Sequence, residues 1–124
     1  MNQLVYIAAG GALGAVMRYL TSIGMHHLLG RGFPYGTLTV NVLGSLAMGF
    51  LFIMMIERSS LGAEWRALIL VGFLGAFTTF STFSMETINL LEDGAVFKAL
   101  MNVMVSVITC LLAAWLGVII GRQV

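Results

Sequence analysis

Residues 72–84 read GFLGAFTTFSTFS, an apolar segment that passes directly into a run of hydroxyl and phenylalanine side chains. Apolar residues flank this segment, so that the whole stretch extends from about residue 67 to residue 91. A helix needs about 20 apolar residues to cross a hydrocarbon layer of about 30 Å. The segment therefore predicts a membrane-spanning helix with a polar middle.

The composition of the chain excludes a water-soluble protein. Of its 124 residues, 60% are hydrophobic and only 9% are charged, whereas soluble domains carry about 25% charged residues. So little charge also argues against disordered tails, coiled coils and nucleic-acid binding, each of which needs a dense supply of charge. A formal net charge of +1 and a mean hydropathy of +1.02 indicate an integral membrane protein with no nucleic-acid partner.

Four apolar stretches are long enough to span a membrane, and short breaks separate them. The alternating pattern that is typical of a β-barrel is absent. We therefore predict an all-α protein with a single transmembrane domain, residues 1–124, whose helices run over about residues 4–29, 38–56, 67–91 and 99–120. The single cysteine, Cys110, excludes a disulfide framework.

The third stretch has a poor helix centre, because Gly72 and Gly75 precede a run of β-branched and hydroxyl residues. A local break over about residues 75–79 would be tolerated in a membrane only where it is buried or lines a cavity, and its carbonyls could then hold a cation. The alternative is an ordinary helix whose hydroxyls bond back to the preceding turn. Composition does not decide between the two.

Several side chains favour an anion path. Phe80 and Phe83 lie three residues apart and project on the same side of a helix, and the positive edge of an aromatic ring can face a small anion. The hydroxyls of the same segment add donors, and so does the amide of Asn41 in the second stretch; these hydroxyls belong to Ser81, Thr82 and Ser84. The alternative is that the rings pack against other helices and that Asn41 holds two helices together.

Further polar residues occupy the other stretches. Asn102, Ser106 and Cys110 recur every four residues and form a weakly polar stripe, which either lines the same path or packs against another helix. Arg18 either extends to an interface or raises the anion concentration at a pore mouth. Glu86 is the only carboxylate near the hydroxyl-rich segment.

The cations of the loops predict little preference for one orientation. With four spans, Arg58, Arg66 and Arg122 lie on one side of the membrane, and Arg31 and Lys98 lie on the other. The positive-inside rule needs an excess of Lys and Arg on one side, and this distribution provides almost none. We expect copies to insert both ways up, so that two opposed copies could pair about a twofold axis in the membrane plane. One fixed orientation set by a weak bias is the alternative.

Residues 14–18 (GAVMR), 36–44 (GTLTVNVLG) and 72–86 (GFLGAFTTFSTFSME) together resemble the CrcB/Fluc family of fluoride channels. The resemblance covers nearly the whole chain. It implies a fluoride-specific channel of the bacterial inner membrane, an antiparallel dual-topology homodimer whose third helix is broken at mid-membrane. Two pores along the dimer interface would release fluoride passively from the cytoplasm and lower its toxicity.

The resemblance also implies roles for individual residues. A phenylalanine pair frames the anion with ring edges, an asparagine donates to it, and a polar track lies beside them; these match Phe80, Phe83, Asn41, Ser81, Thr82 and Ser84. The stripe residues Asn102 and Ser106 would line the same pore, and Arg18 and Glu86 would lie in the vestibule. A structural Na⁺, which is not transported, would be held by the backbone carbonyls of Gly75 and Thr78. Ala76 departs from the glycine of many relatives.

Two other functions remain open. A small dual-topology multidrug or cation exporter would share the four short helices, but it needs a carboxylate in the first helix, which contains none. An intramembrane enzyme would need a nucleophile and a base, and the candidates Cys110, His26 and His27 fall at different depths. We therefore expect a channel rather than an enzyme, with fluoride and membrane lipid as its partners.

Overall fold

The computed structural model describes residues 2–58 and 61–124, and its regular elements within these ranges are all helical. Two of the helices continue in π-helical form, in which the backbone hydrogen bonds reach one residue further than in an α-helix. In chain order the elements are α1 (Asn2–Leu29), α2 (Tyr35–Phe52) with a π-helix (Ile53–Glu57), α3 (Ala63–Arg66) with a π-helix (Ala67–Leu74), α4 (Gly75–Phe77), α5 (Ser81–Glu92) and α6 (Val96–Gln123).

Four segments are long and apolar enough to cross a membrane, which confirms the predicted all-helical protein with four spans. The shortest contains 23 residues and extends over about 35 Å at 1.5 Å per residue. The segments are Gln3–Leu29, Tyr35–Glu57, Ala63–Glu92 and Val96–Gln123.

The helices extend a few residues beyond the predicted ranges, because a helix does not end where its apolar stretch ends. The second span begins at Tyr35, directly after Pro34, whose carbonyl accepts the Leu38 N–H at 3.2 Å. A proline is well tolerated at such a start because it has no N–H to satisfy. The third span ends before Gly94, which has a φ of +81°. The N–H groups of Gly94 and Ala95 donate to carbonyls in the last turn of α5 and so close that helix.

Glycines let the helices pack with their backbones in contact. A Cβ atom built on Gly10 would overlap the Leu68 carbonyl oxygen, and one on Gly14 would overlap the Phe73 carbonyl oxygen. On the other side of the bundle a Cβ on Gly49 would overlap the carbonyl oxygen of Ala114 in α6. These contacts hold α1 against the third span and α2 against α6.

Replacing Gly14 by alanine is expected to destabilise the protein by about 1–3 kcal/mol, the usual cost of overpacking. The added methyl would overlap the Phe73 carbonyl and would lie 3.1 Å from the Phe77 nitrogen. The matched control is Gly24→Ala in the same helix, where no atom lies within 4 Å. Thermal unfolding in detergent measures both variants, and equal melting temperatures would contradict the packing described here.

The loop cations lie at two opposite ends of the bundle, since α6 separates them along its 28 residues. At one end Arg58 Nη1 donates to the Gly121 carbonyl at 2.9 Å, and Arg122 pairs with Glu57 at 3.2 Å. At the other end the Lys98 ammonium donates to the Gly32 carbonyl at 3.1 Å. Both ends therefore carry positive charge.

Candidate functional site

The polar middle of the third span is where its helical backbone stops and restarts. The helix α4 ends at Phe77, Thr78 is extended with φ −88° and ψ 160°, and α5 begins at Ser81. The three residues 78–80 are therefore not helical. Residues 75–77 are helical, so the predicted break over about residues 75–79 was placed too early in the chain. Both the N–H and the hydroxyl of Thr78 donate to the Leu74 carbonyl, at 3.1 and 3.0 Å, which keeps the chain helical up to Phe77.

Asn41 of α2 holds the non-helical segment by two hydrogen bonds. Its Nδ2 donates to the Thr79 carbonyl and its Oδ1 accepts the Thr79 N–H, each at 2.8 Å. In a continuous helix the Thr79 N–H would donate to Gly75 and the Thr82 N–H to Thr78. The Thr82 N–H instead donates to the Thr79 hydroxyl at 3.2 Å. The carbonyls of Gly75 and Thr78 are thus left without their helical donors.

Arg18 reaches the same segment from α1. Its Nε donates to the Ala76 carbonyl at 3.1 Å, where a continuous helix would place the N–H of Phe80. The guanidinium therefore supplies the donor that the interruption removes. Its role in a vestibule stays a prediction, and the contact with Ala76 is one that the sequence did not indicate.

A cavity of about 350 Å³ lies beside the non-helical segment. Among the residues that the structure describes, its walls are formed by α2, by residues 78–80 and by the facing sides of α5 and α6. Four of the predicted pore residues are among them. The lining side chains and backbone belong to Asn41, Gly44, Ser45, Met48, Thr78, Thr79, Phe80, Phe83, Ser106, Val107, Cys110 and Ala114.

The two phenylalanines of the motif differ in burial. Their ring centroids are 5.3 Å apart and their planes are tilted by 50°. Phe83 is 8% exposed and packs inside the bundle, whereas Phe80 is 75% exposed and forms the outer part of the wall. Opposite them Gly44 lets α2 approach, because a Cβ there would overlap the methyl group of Thr78. The arrangement places two aromatic rings and an amide beside the same cavity.

Comparison with known proteins identifies the family. A family model described as "CrcB-like protein, Camphor Resistance (CrcB)" matches residues 5–118. The chain belongs to the CrcB family. A relative in Methylococcus capsulatus is 55% identical over 98% of this chain and 53% of its own length. Relatives in Magnetococcus marinus and Coxiella burnetii are 51% and 54% identical over 98% and 99% of this chain, and 99% of their own length.

All three relatives carry the name fluoride-specific ion channel FluC. This CrcB-family chain spans about half the length of the Methylococcus capsulatus relative and nearly all of the other two. The resemblance found in the sequence motifs is thereby confirmed.

The hydroxyls of Ser81, Thr82 and Ser84 in the CrcB-family motif bond within the start of α5, and these three residues are not among the described residues that line the cavity. Thr79 Oγ1 donates to Thr82 Oγ1 at 3.1 Å and lies 3.4 Å from Ser81 Oγ, while Ser84 Oγ donates to the Phe80 carbonyl at 3.0 Å. These bonds organise the first turn of α5. The roles predicted for Ser81, Thr82 and Ser84 as a polar track stay predictions.

The polar stripe of α6 divides into a buried part and a cavity-lining part. Asn102 is 1% exposed, and its Nδ2 donates to the Thr87 hydroxyl at 2.9 Å. Ser106 and Cys110 line the cavity. The sequence left open whether the stripe lines a path or packs against a helix, and its residues do both. Thr87, which bonds to Asn102, was not singled out by the sequence.

Glu86 lies in a second cavity, of about 240 Å³, at the end of the CrcB-family bundle that contains the α1–α2 connection. His26, Arg31 and Asp93 line the same cavity. Glu86 Oε1 is buried and has no hydrogen-bond partner within the described ranges. Glu86 is thus separate from the cavity of the phenylalanine pair, and its vestibule role stays a prediction.

Proposed function

We propose that the chain is a fluoride-selective channel through which fluoride leaves the cytoplasm passively. The observation that carries this proposal is the convergence of Asn41, Phe80 and Phe83 on one cavity. Fluoride is small and strongly hydrated, so a path for it must replace its water by N–H or O–H donors and positive ring edges, without binding it too tightly to leave. The names of the relatives support fluoride as the ion.

The hydrogen bonds of Asn41 orient its amide in the sense that an anion needs. Its oxygen is occupied by the Thr79 N–H, and one of its two N–H groups is used on the Thr79 carbonyl. The other N–H has no protein partner among the described residues and belongs to a side chain that lines the cavity. An amide fixed in this way presents a donor rather than an acceptor.

The cavity lining argues against the cation exporter. Among the described lining residues there is no carboxylate, whereas such an exporter needs a membrane-embedded carboxylate in its substrate cavity. The first helix contains no acidic residue either. Glu86, the carboxylate nearest in sequence, lies in the second cavity.

The proposal includes an antiparallel homodimer with two pores along its interface, in a bacterial inner membrane. Phe80, 75% exposed on the outer wall of the cavity, would be covered by the second copy. Positive charge at both ends of the bundle supports insertion in both orientations. Reporter tags on the C-terminus should give signals from both sides of the membrane, and a signal from one side only would contradict dual topology.

A structural Na⁺, not transported, fits the backbone of the third span. The carbonyls of Gly75 and Thr78 lack their helical donors, because Thr79 and Thr82 donate to side chains instead. Hard cations such as Na⁺ prefer oxygen ligands of this kind. When bound, the ion would neutralise the carbonyl dipoles of the interruption.

Fluoride and chloride efflux from proteoliposomes tests the proposed function. A fluoride electrode and a chloride electrode should record release of fluoride, with chloride release no faster than from protein-free liposomes. Replacing sodium by a large organic cation on both sides should reduce the fluoride release. Equal release of chloride would refute selectivity. Uptake of a lipophilic cation without fluoride release would favour the exporter.

A further inference from the structure

A chain of three hydrogen bonds connects the backbone at Phe83 with the cavity wall. The Thr87 hydroxyl donates to the Phe83 carbonyl at 2.8 Å, and the Asn102 amide donates to the Thr87 oxygen at 2.9 Å. At the far end Ser106 Oγ donates to Asn102 Oδ1 at 3.3 Å. Ser106 also lines the cavity that Phe83 lines.

The direction of this chain is set by its first member, because a carbonyl can only accept. The single proton of the Thr87 hydroxyl is therefore used on Phe83, and Thr87 offers only its oxygen to Asn102. Asn102 must then turn its nitrogen to Thr87 and its oxygen to Ser106. The Ser106 proton is in turn used on Asn102, so that Ser106 presents only oxygen lone pairs to the cavity.

Burial makes the reverse direction costly. Asn102 is 1% exposed and Ser106 is 6% exposed. Turning the Asn102 amide over would place its oxygen against the Thr87 oxygen, two acceptors 2.9 Å apart. Because Asn102 is buried, water does not replace the hydrogen bond that its amide would lose.

We propose that Thr87 and Asn102 are positioning residues that keep the Ser106 hydroxyl from donating to an ion in the cavity. The inference rests on the proposed function. In this inference the Asn41 amide and the positive ring edges stabilise the anion. Ser106 lines the cavity but does not donate a hydrogen bond to fluoride. A channel needs such a lining because a site that binds its ion too tightly does not release it.

Thr87→Val tests the inference, with Thr87→Ser as its matched control. Valine has nearly the shape of threonine but lacks the hydroxyl, so Asn102 can turn over and release the Ser106 proton toward the cavity. One added hydrogen bond to an anion should slow fluoride release from proteoliposomes about tenfold. Thr87→Ser keeps the hydroxyl and should release fluoride at the wild-type rate.

A double variant distinguishes a released Ser106 proton from a general disturbance of packing. In a Ser106→Ala background the serine proton is absent, so Thr87→Val/Ser106→Ala should release fluoride at the same rate as Ser106→Ala alone. A tenfold slowing that persists in this background would overturn the inference. So would a Thr87→Val variant that is as fast as Thr87→Ser.

A readout that does not depend on conduction separates this inference from the proposed function. The NMR signals of the Asn102 side-chain amide in detergent micelles should shift in Thr87→Val and stay in place in Thr87→Ser. An unchanged signal in Thr87→Val would overturn the hydrogen-bond direction, whatever ion the protein conducts. Absence of fluoride release from the wild type would instead refute the proposed function, and with it the role of Ser106 in fluoride transport.

Discussion

Replacing Phe80 by isoleucine is expected to lower fluoride release from proteoliposomes at least about a hundredfold. Isoleucine keeps most of the apolar volume but has no positive ring edge to face the anion. Without a ring edge to replace part of its hydration shell, fluoride must lose its water at a greater cost in free energy. Phe83→Ile should have the same effect, because both rings belong to the same cavity wall.

The exposure of the two rings allows the loss of conduction to be separated from a loss of folding. Phe80 is 75% exposed within one copy, so Phe80→Ile should leave the packing inside that copy nearly unchanged, whereas Phe83 is 8% exposed and its replacement should also lower stability. Phe97→Ile is the matched control, since Phe97 is 73% exposed and lines neither cavity described above. Fluoride release by Phe80→Ile at the rate of Phe97→Ile would contradict the role of the ring.

Replacing Asn41 by aspartate is expected to abolish fluoride release as well. The carboxylate could still accept the Thr79 N–H, but it could not donate to the Thr79 carbonyl, and it would face the cavity as a negative charge. Two like charges 4 Å apart repel by about 4 kcal/mol at an effective dielectric constant of 20. This repulsion corresponds to a rate lower by about a factor of a thousand.

Asn89→Asp is the control for this charge. Asn89 is exposed and lines the second cavity, so the same chemical change there lies away from the phenylalanine pair. Both variants are compared by fluoride-electrode recordings in alkaline buffer, which ionises the new carboxyl group. Wild-type release by Asn41→Asp would show that the anion does not pass close to position 41.

Much of the fold could be predicted from the sequence. The scarcity of charge and the length of the apolar stretches predicted the membrane and the four spans. Four predicted pore residues line the cavity, Asn41, Phe80 and Phe83 from the motif and Ser106 from the polar stripe of α6. The helix boundaries were less accurate, since Pro34 and Gly94 place them rather than hydropathy. The π-helices, at Ile53–Glu57 and Ala67–Leu74, had no signal in the composition.

The polar pairs of the site could not be predicted. Asn41 and Thr79 are 38 residues apart, and Arg18 and Ala76 are 58 residues apart. Nothing in either local sequence indicates that an amide will meet a backbone N–H, or that a guanidinium will meet a carbonyl. The stripe of α6 likewise gave no sign that Asn102 would bond to Thr87.

The sequence by itself determined that the chain spans a membrane with four helices, because the transfer of apolar residues into hydrocarbon is local and sums along each stretch. The tertiary structure decided which polar groups meet and which way their hydrogen bonds point. Those contacts require approaches of about 3 Å, and glycines such as Gly14 and Gly44 let α1 and α2 come close to the third span. Because hydrocarbon offers no hydrogen bonds, the N–H and the carbonyl of Thr79 depend on the amide of Asn41 as their partner.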